Sequence, residues 1–207
     1  MRNQASGWSA LSIVLAAGIL TLGLAASGAR AADPAGAVSA VTGEATATAA
    51  GAQARTLKVK DPVHVAETVR TGAEARAVLG LGERTTLRLG AETEVRLDRY
   101  IIDAGGELTL GGGAILFDRE PPKADEDLTI SSDYGLIVVR GTTFFAGPSR
   151  GVFGVFVETG RVDVTGGGKT VSVGAGEGTN IAEPGAEPTD PVAWGAGRIE
   201  EALASVR

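Results

Sequence analysis

The stretch Thr85-Thr-Leu-Arg-Leu-Gly-Ala-Glu-Thr-Glu-Val-Arg-Leu97 decides the fold of this chain. Apolar and polar side chains alternate on either side of Gly90, and a period of two places successive side chains on opposite faces of an extended strand. Gly90 ends the first run, as turn glycines do. The stretch therefore predicts two half-buried β-strands separated by a turn.

Segments of the same kind recur along the chain. They are 56–60, 75–81, 107–110, 127–131, 135–139, 151–157, 161–164 and 169–173. Many of the 31 glycines fall between them, where tight turns need positive φ. Because no long amphipathic helical period separates the strands, an α/β fold lacks its crossover helices. We predict an all-β domain, which is a glycine-rich β-sandwich, a β-roll or a short β-solenoid-like stack.

Residues 1–31 have the pattern of a secretory signal peptide. Arg2 precedes the apolar run Leu11–Ala26, and Ala29 and Ala31 provide the two small side chains of an A-x-A cleavage site. We predict cleavage after about Ala31 and a periplasmic or secreted location, with no stable membrane span after cleavage. An uncleaved N-terminal anchor is the alternative, because the apolar run is only slightly shorter than a bilayer span.

Charge and cysteine content exclude several classes of protein. The net charge of the full chain is −6. Removal of residues 1–31 leaves 17 basic and 25 acidic residues, a net charge of about −8, which disfavours a nucleic-acid partner. The chain has no cysteine, so disulfide scaffolds, thiolate metal sites and lipoprotein anchors are excluded. We expect no cofactor and no metal.

The sequence divides the chain into five parts. We predict a loosely structured lead-in over residues 32–54, a β domain over 55–180 and a linker over 181–190. A C-terminal helix is expected over 191–206, with a signal helix at 1–31. In the C-terminal helix Asp190 can serve as the N-cap, and one apolar face is formed by Ile199, Ala202, Leu203 and Val206.

Few residues suggest catalysis. His64 is the single histidine and lies in a strand-like stretch, which is typical of a half-exposed structural residue. Carboxylates are plentiful but form no motif, and the acidic loop Glu120–Asp127 lacks the spacing of a calcium site. The glycines of 174–178 fit a turn better than a phosphate loop. We predict that the chain is not an enzyme.

Two groups of residues are candidates for contact with a partner. The first group consists of Arg84, Arg88, Arg96 and Arg99. If Arg88 and Arg96 project from one polar face, they form a cationic patch suited to a carboxylate or an acidic partner. The alternative is pairing of these arginines with Glu92, Glu94 and Asp98 across strands. The second group is Arg140, Gly141 and Thr142, and its alternative is an arginine that is buried and bonds to loop carbonyls.

The order of these segments resembles the FecR domain, a periplasmic all-β module of bacterial cell-surface signalling. The matching segments are Leu57–Val63, Glu67–Gly72, Ala75–Leu81, Thr86–Gly90, Thr93–Leu97 and Thr129–Thr142. The resemblance covers residues 55 to 165 or so, and it implies a protein-protein signalling or scaffold role without catalysis or cofactor. Founding members of the family are membrane regulators with a cytoplasmic anti-sigma segment and a periplasmic part that meets an outer-membrane receptor.

This sequence departs from that plan. About ten residues precede the apolar run, too few to hold a sigma factor, and no secretin and TonB short domain is evident. The resemblance therefore implies an exported, stand-alone FecR-like module that binds another envelope protein through strand faces and sheet edges. A cell-wall or polysaccharide-binding module is the alternative, although the sequence has few aromatic residues for stacking. A hydrolase that uses His64 or a carboxylate pair is a third hypothesis.

Overall fold

Alternating sequence produces β structure through most of the described chain. The computed structural model describes residues 34–101, 105–120 and 127–207. The predicted leader, with Ala29 and Ala31, lies outside these residues. The described part contains one helix, α1 (Ala196–Ala204), and the following strands: β1 (Pro34–Thr42), β2 (Ala45–Ala49), β3 (Arg55–Thr56), β4 (Pro62–His64), β5 (Glu67–Thr71), β6 (Arg76–Leu81), β7 (Thr85–Leu89), β8 (Glu94–Ile101), β9 (Gly105–Gly112), β10 (Ile115–Arg119), β11 (Leu128–Ser132), β12 (Gly135–Val139), β13 (Thr143–Ser149), β14 (Val152–Thr159), β15 (Arg161–Gly166), β16 (Lys169–Gly174), β17 (Glu177–Ile181) and β18 (Val192–Ala193).

The strands form two nine-stranded sheets. The first sheet has the order β18-β17-β14-β13-β10-β7-β6-β1-β4, and the second has the order β16-β15-β12-β11-β9-β8-β5-β2-β3. The chain changes sheet after every one or two strands, so both sheets grow from the same end. Strands β9 and β11 are neighbours in the second sheet and pair in parallel. The intervening strand in the sequence, β10, belongs to the first sheet and returns the chain to the starting end. The all-β prediction is confirmed as a two-sheet sandwich with the stepwise progression of a short solenoid.

Side chains of both sheets share one apolar core. A row across the first sheet places Leu79 beside Leu87, Leu87 beside Phe117 and Phe117 beside Phe144. All four side chains are fully buried, and the rings of Phe117 and Phe144 have centroids 5.6 Å apart. Each contributes about 1.5–3 kcal/mol of transfer free energy. The core explains how a chain without cysteine remains folded.

The lead-in expected at residues 32–54 is corrected by the structure. Its described part contains β1 and β2, which lie inside the two sheets. Sequence alternation was obscured because β1 is built largely from small side chains. In addition, register shifts between Pro34 and Gly36 and between Val38 and Ala40 interrupt its period of two.

The C-terminal region also differs in its boundaries. Helix α1 begins at Ala196 rather than at residue 191, its N-cap is Gly195, and no side chain caps it. Asp190 therefore does not cap the helix; its carboxylate accepts a hydrogen bond from Lys169 Nζ at 2.7 Å. The predicted apolar face is confirmed, since its four members pack in one cluster against the first sheet. These members are Ile199, Ala202, Leu203 and Val206.

Helix length bears on the membrane question for the described ranges only. Within them, the structure contains no helix with the length and apolar character that a membrane crossing needs.

Candidate interaction surfaces

Arg88 and Arg96 lie on different sheets. Arg88 is in β7 of the first sheet, and Arg96 is in β8 of the second sheet. Both side chains point away from the shared core, so they leave the sandwich from opposite faces. The single cationic patch that the sequence suggested is therefore not formed. Its failure follows from the change of sheet between β7 and β8.

The arginines of the second sheet are neutralised by nearby carboxylates. Arg96 Nε lies 2.9 Å from Asp98 Oδ1 on its own strand, and Arg99 pairs with Glu107 of β9 at 3.1 Å. Pairing of strand arginines with carboxylates, the alternative drawn from the sequence, thus describes Arg96 and Arg99. These pairs are solvent-exposed, so each is worth only about 0–1 kcal/mol.

The arginines of the first sheet have different surroundings. Arg84 is half-buried in the turn between β6 and β7, where its carbonyl accepts a hydrogen bond from the Glu120 amide at 3.1 Å. Arg88 is half-buried between Val78 and Leu116 of the neighbouring strands. Within the described ranges, Arg88 has no ion pair or hydrogen bond from its guanidinium. Arg88 is therefore a cation that can bind an incoming carboxylate, and its neighbours on the adjacent strands are apolar.

Arg140, Gly141 and Thr142 form the passage from β12 in the second sheet to β13 in the first. Arg140 is exposed and makes a bidentate ion pair with Asp127, with distances of 2.6 and 3.0 Å. Thr142 is buried, and its hydroxyl donates to the carbonyl of Arg161 at 2.9 Å. Gly141 has a φ of +59°. The structure therefore places Arg140 on the surface and not in the core, and it gives Thr142 an architectural contact.

His64 belongs to a structural cluster at the end of the sandwich. The buried Glu67 carboxylate accepts hydrogen bonds from Arg55 Nη2 at 2.8 Å and from the His64 amide at 2.9 Å. His64 Nδ1 lies 3.4 Å from the same carboxylate oxygen. Three strands are thereby joined, two from the second sheet and one from the first. No group of three histidine, cysteine, aspartate or glutamate residues suited to a metal occurs in the described ranges.

The carboxylates considered for catalysis are separated. Asp98 lies in the second sheet and accepts a hydrogen bond from Thr109, whereas Asp118 lies in the first sheet and accepts one from Thr143. Asp103, Asp125 and Glu126 lie outside the described residues. The described members thus do not face each other across a cleft, which a carboxylate pair of a glycosidase requires.

Helix α1 covers part of the outer face of the first sheet. Trp194 stacks on Phe156 of β14, with ring centroids 5.3 Å apart. Arg198 of the helix bonds Ser149 at 3.0 Å and Asn180 at 2.7 Å. Burial lowers the pKa of Arg198 from its usual value. The helix is therefore fastened to β13 and β17 by polar contacts as well as by its apolar face.

An uncovered sheet edge is the main surface that sequence reasoning did not locate. At the ends of the two sheets lie β18, β4, β16 and β3. Three of these have two or three residues, whereas β16 has six. Residue alternation revealed β16 as a strand but could not show that it lies at an edge, because edge position is a property of the topology.

Comparison with known proteins finds one family that matches the central part of the chain. The family model described as FecR protein matches residues 67–163, from β5 into β15. Residues 67–163 therefore match a FecR domain. No curated protein matches the chain.

Two solved structures share the fold. Both are crystal structures of a candidate anti-sigma factor from Parabacteroides distasonis ATCC 8503, one at 1.65 Å and one at 2.50 Å resolution. The first has 16% sequence identity and a TM-score of 0.55, with 66% of this chain and 64% of that chain covered. The second has 15% identity, a TM-score of 0.56 and coverage of 66% and 63%. The chain thus spans less than two thirds of the length of these structures, and the similarity concerns the fold.

Proposed function

We propose that this chain is a non-enzymatic FecR-domain module of the bacterial envelope that binds another protein in signalling or as a scaffold. The observation that supports the proposal is that charged side chains of the FecR region form ion pairs on its solvated outer faces. The ion pairs described on its outer faces, such as Arg99 with Glu107 and Arg140 with Asp127, join neighbouring strands. Surfaces of this kind suit contact with a macromolecule, because they are broad and solvated.

The proposed location is the periplasm, after cleavage of the leader at about Ala31. The FecR match of residues 67–163 supports it, and so does the leader pattern of Ala29 and Ala31. Intact mass spectrometry of the protein from a periplasmic extract tests the location. A mass corresponding to a chain that begins at Ala32 supports export and cleavage, and an intact chain found in the cytoplasmic fraction contradicts them.

Among the residues predicted to contact a partner, Arg88 is the strongest. Its guanidinium is unpaired within the described ranges, and it lies on the part of the first sheet beside helix α1. Arg84 is half-buried in the turn that leads into the same strand. Arg96, Arg99 and Arg140 are already in ion pairs. We propose that they contact a partner only when a carboxylate of the partner replaces the one to which each is now bound. Gly141 and Thr142 then contribute indirectly, because they fix the backbone between β12 and β13 and so the position of Arg140.

A photo-crosslinking scan in cells tests the function. Benzoyl-phenylalanine is introduced singly at Arg88, Arg96, Thr129 and Ser172, which cover both faces and the β16 edge. We expect at least one position to yield a specific adduct with an envelope protein that also binds the purified chain. Failure of all four positions to give a partner that reconstitutes from purified components contradicts the function.

A cell-wall or polysaccharide-binding module is the second candidate, and one cleft favours it. The ring of Tyr134 stacks on Phe153 with centroids 4.5 Å apart, in a cleft of about 210 Å³ that Pro148 and Pro184 also line. Such a surface can stack on a sugar ring. Retention of the chain on purified peptidoglycan, lost in Tyr134→Ala, supports this candidate. No retention excludes it.

A further inference from the structure

Among the described residues, none pairs with the outer edge of β16 in its central part. We define the open edge as the outward backbone groups of Thr170 and Ser172. Both residues are exposed, whereas Val171 and Val173 between and after them are buried. Exposed edges of this length attract additional strands, and proteins usually shorten or cover them. The other three edge strands are shortened in this way, and β16 is not.

The turn before β16 fixes which backbone groups point outward. Gly167 and Gly168 form a two-residue turn with φ of +54° and +88°, between the paired residues Gly166 and Lys169. The pair that flanks such a turn exchanges hydrogen bonds, and the next pair does not. Thr170, the next residue, therefore directs its N–H and C=O away from β15. By the same alternation, Ser172 does so too.

A separate contact gives the same assignment. The Gly174 amide donates to the Glu177 carboxylate at 3.0 Å instead of to β15. The backbone N–H of Gly174 therefore also points away from β15. This agrees with the alternation, because Gly174 lies two residues after Ser172. Glu177 closes this end of the edge. At the other end Lys169 is held by Asp190. Between these two ends, no residue that the structure describes bonds to the outward backbone groups of Thr170 and Ser172.

An unpaired cation stands beside the open edge. Arg161 of β15 is exposed and has no ion pair within the described ranges. With Arg140, Asp163 and Ser172 it lines an open cleft of about 260 Å³ on the outer face. Arg140 is already bound to Asp127, so Arg161 is the cation available to a side chain that enters from the edge.

We propose that the open edge binds an extended segment of another envelope protein as a tenth strand of the second sheet. This inference rests on the proposed function and names the segment by its chemistry. Residues opposite Thr170 and Ser172 supply backbone hydrogen bonds. The residue opposite Val171 is apolar because it faces the core side. The residue opposite Ser172 carries a carboxylate that reaches Arg161.

A second copy of the chain fits the edge less well. An antiparallel pair of β16 strands centred on Val171 places Thr170 opposite Ser172 and supplies the backbone bonds. It brings no carboxylate to Arg161, because β16 has none in its sequence Lys169-Thr-Val-Ser-Val-Gly174. Contact through this short edge also buries little of the area that stable dimers require.

Amide hydrogen exchange with a synthetic peptide tests the inference. The probe is acetyl-Thr-Val-Glu-Val-Thr-Val-amide, and its matched control replaces the glutamate by glutamine. Added to the full-length protein, the glutamate peptide should slow exchange at the amides of Thr170 and Ser172. The Val171 amide is already paired with β15 and serves as an internal reference that should not change. The glutamine peptide should bind about two- to fivefold more weakly.

Two pairs of variants separate the backbone contact from the charge contact. Ser172→Pro removes an outward N–H without removing a bond to β15, and should weaken peptide binding about tenfold or more. Ser172→Ala retains the N–H and should bind normally. Arg161→Gln should remove the preference for glutamate over glutamine. Arg70→Gln changes an exposed arginine in β5, far from the edge strand of the same sheet, and should leave that preference unchanged.

The outcomes distinguish this inference from the proposed function. Peptide binding without protection at Thr170 and Ser172, or equal binding by Ser172→Pro, overturns the inference. Protection that grows with protein concentration in the absence of peptide overturns it in favour of a second copy. If the edge fails these tests while photo-crosslinking at Arg88 captures a partner that reconstitutes, the proposed function stands and the inference does not.

Discussion

The guanidinium of Arg198 lies over the indole of Trp194, with its Cζ 3.6 Å from the ring centroid. Trp194 precedes helix α1, and Arg198 is on its first turn. A cation over an aromatic face is attracted by the ring quadrupole, and partial burial increases the attraction. This pair therefore determines how firmly the helix is held against β13 and β17.

Replacement of Arg198 by alanine should loosen the helix. The loss of the ring contact and of the bonds to Ser149 and Asn180 should cost about 1–3 kcal/mol of unfolding free energy. In a Trp8→Phe background, Trp194 is the only tryptophan, and its fluorescence should shift to longer wavelength. Arg207→Ala breaks only an exposed pair with Glu158 and should cost less than about 1 kcal/mol. Equal losses in the two variants would disprove the stated role of Arg198.

Gly113 and Gly112 should respond very differently to alanine. Gly113 has a φ of +75°, and a Cβ there would lie 2.4 Å from the Cα of Thr93. A Cβ on Gly112 would meet nothing within 4 Å. We expect Gly113→Ala to cost more than about 2 kcal/mol in urea unfolding and Gly112→Ala to change stability by less than about 0.5 kcal/mol. A well-folded Gly113→Ala with normal stability would contradict the described turn.

Glu67 should matter more than other paired carboxylates. Its side chain is 7% exposed and binds Arg55, whereas Glu94, paired with Arg70, is 41% exposed. Glu67→Gln should therefore destabilise the fold by about 1–3 kcal/mol, because a largely buried charge-assisted contact is lost. Glu94→Gln should cost about 0–1 kcal/mol. Chemical denaturation of both variants compares them, and the reverse order would refute the assignment.

Acid should weaken the attachment of α1. Arg150, through its hydrogen bond and charge, lowers the pKa of Glu201 below the usual 4.5. A carboxyl whose pKa is lowered on folding adds stability above its unfolded pKa and loses that contribution as the pH falls through the folded value. Stability should thus decline as the pH is lowered from about 4.5. The decline in melting temperature between pH 5 and pH 3 should be smaller in Glu201→Gln, and an identical decline would rule out this contribution.

Much of the fold was predictable because most strands show the same two-residue alternation of apolar and polar side chains. Strands such as β7 and β8 alternate bulky apolar residues with charged ones, and both were expected from sequence. The helix face containing Leu203 was expected as well. β1 escaped because alanine, glycine and serine provide little contrast between its faces. Two register shifts in β1 also interrupt the alternation, so that buried and exposed residues no longer follow a period of two.

Which residues share a surface was less predictable. Alternation assigns Arg88 and Arg96 to the polar side of their strands but does not reveal that the strands belong to different sheets. Likewise Thr170 and Ser172 look like the polar positions of any other strand. Their availability depends on having no neighbour beyond β16, and long-range pairing alone determines this.

The alternation of the chain between two sheets also bears on how such a domain is assembled and how it can evolve. Strands that pair lie no more than five strands apart in the sequence, so a new strand finds its partner among those made shortly before it. The two sheets can therefore form progressively from their N-terminal strands. Insertion or deletion of one unit of strands from each sheet would lengthen or shorten the body without exposing its interior, as in repeat proteins.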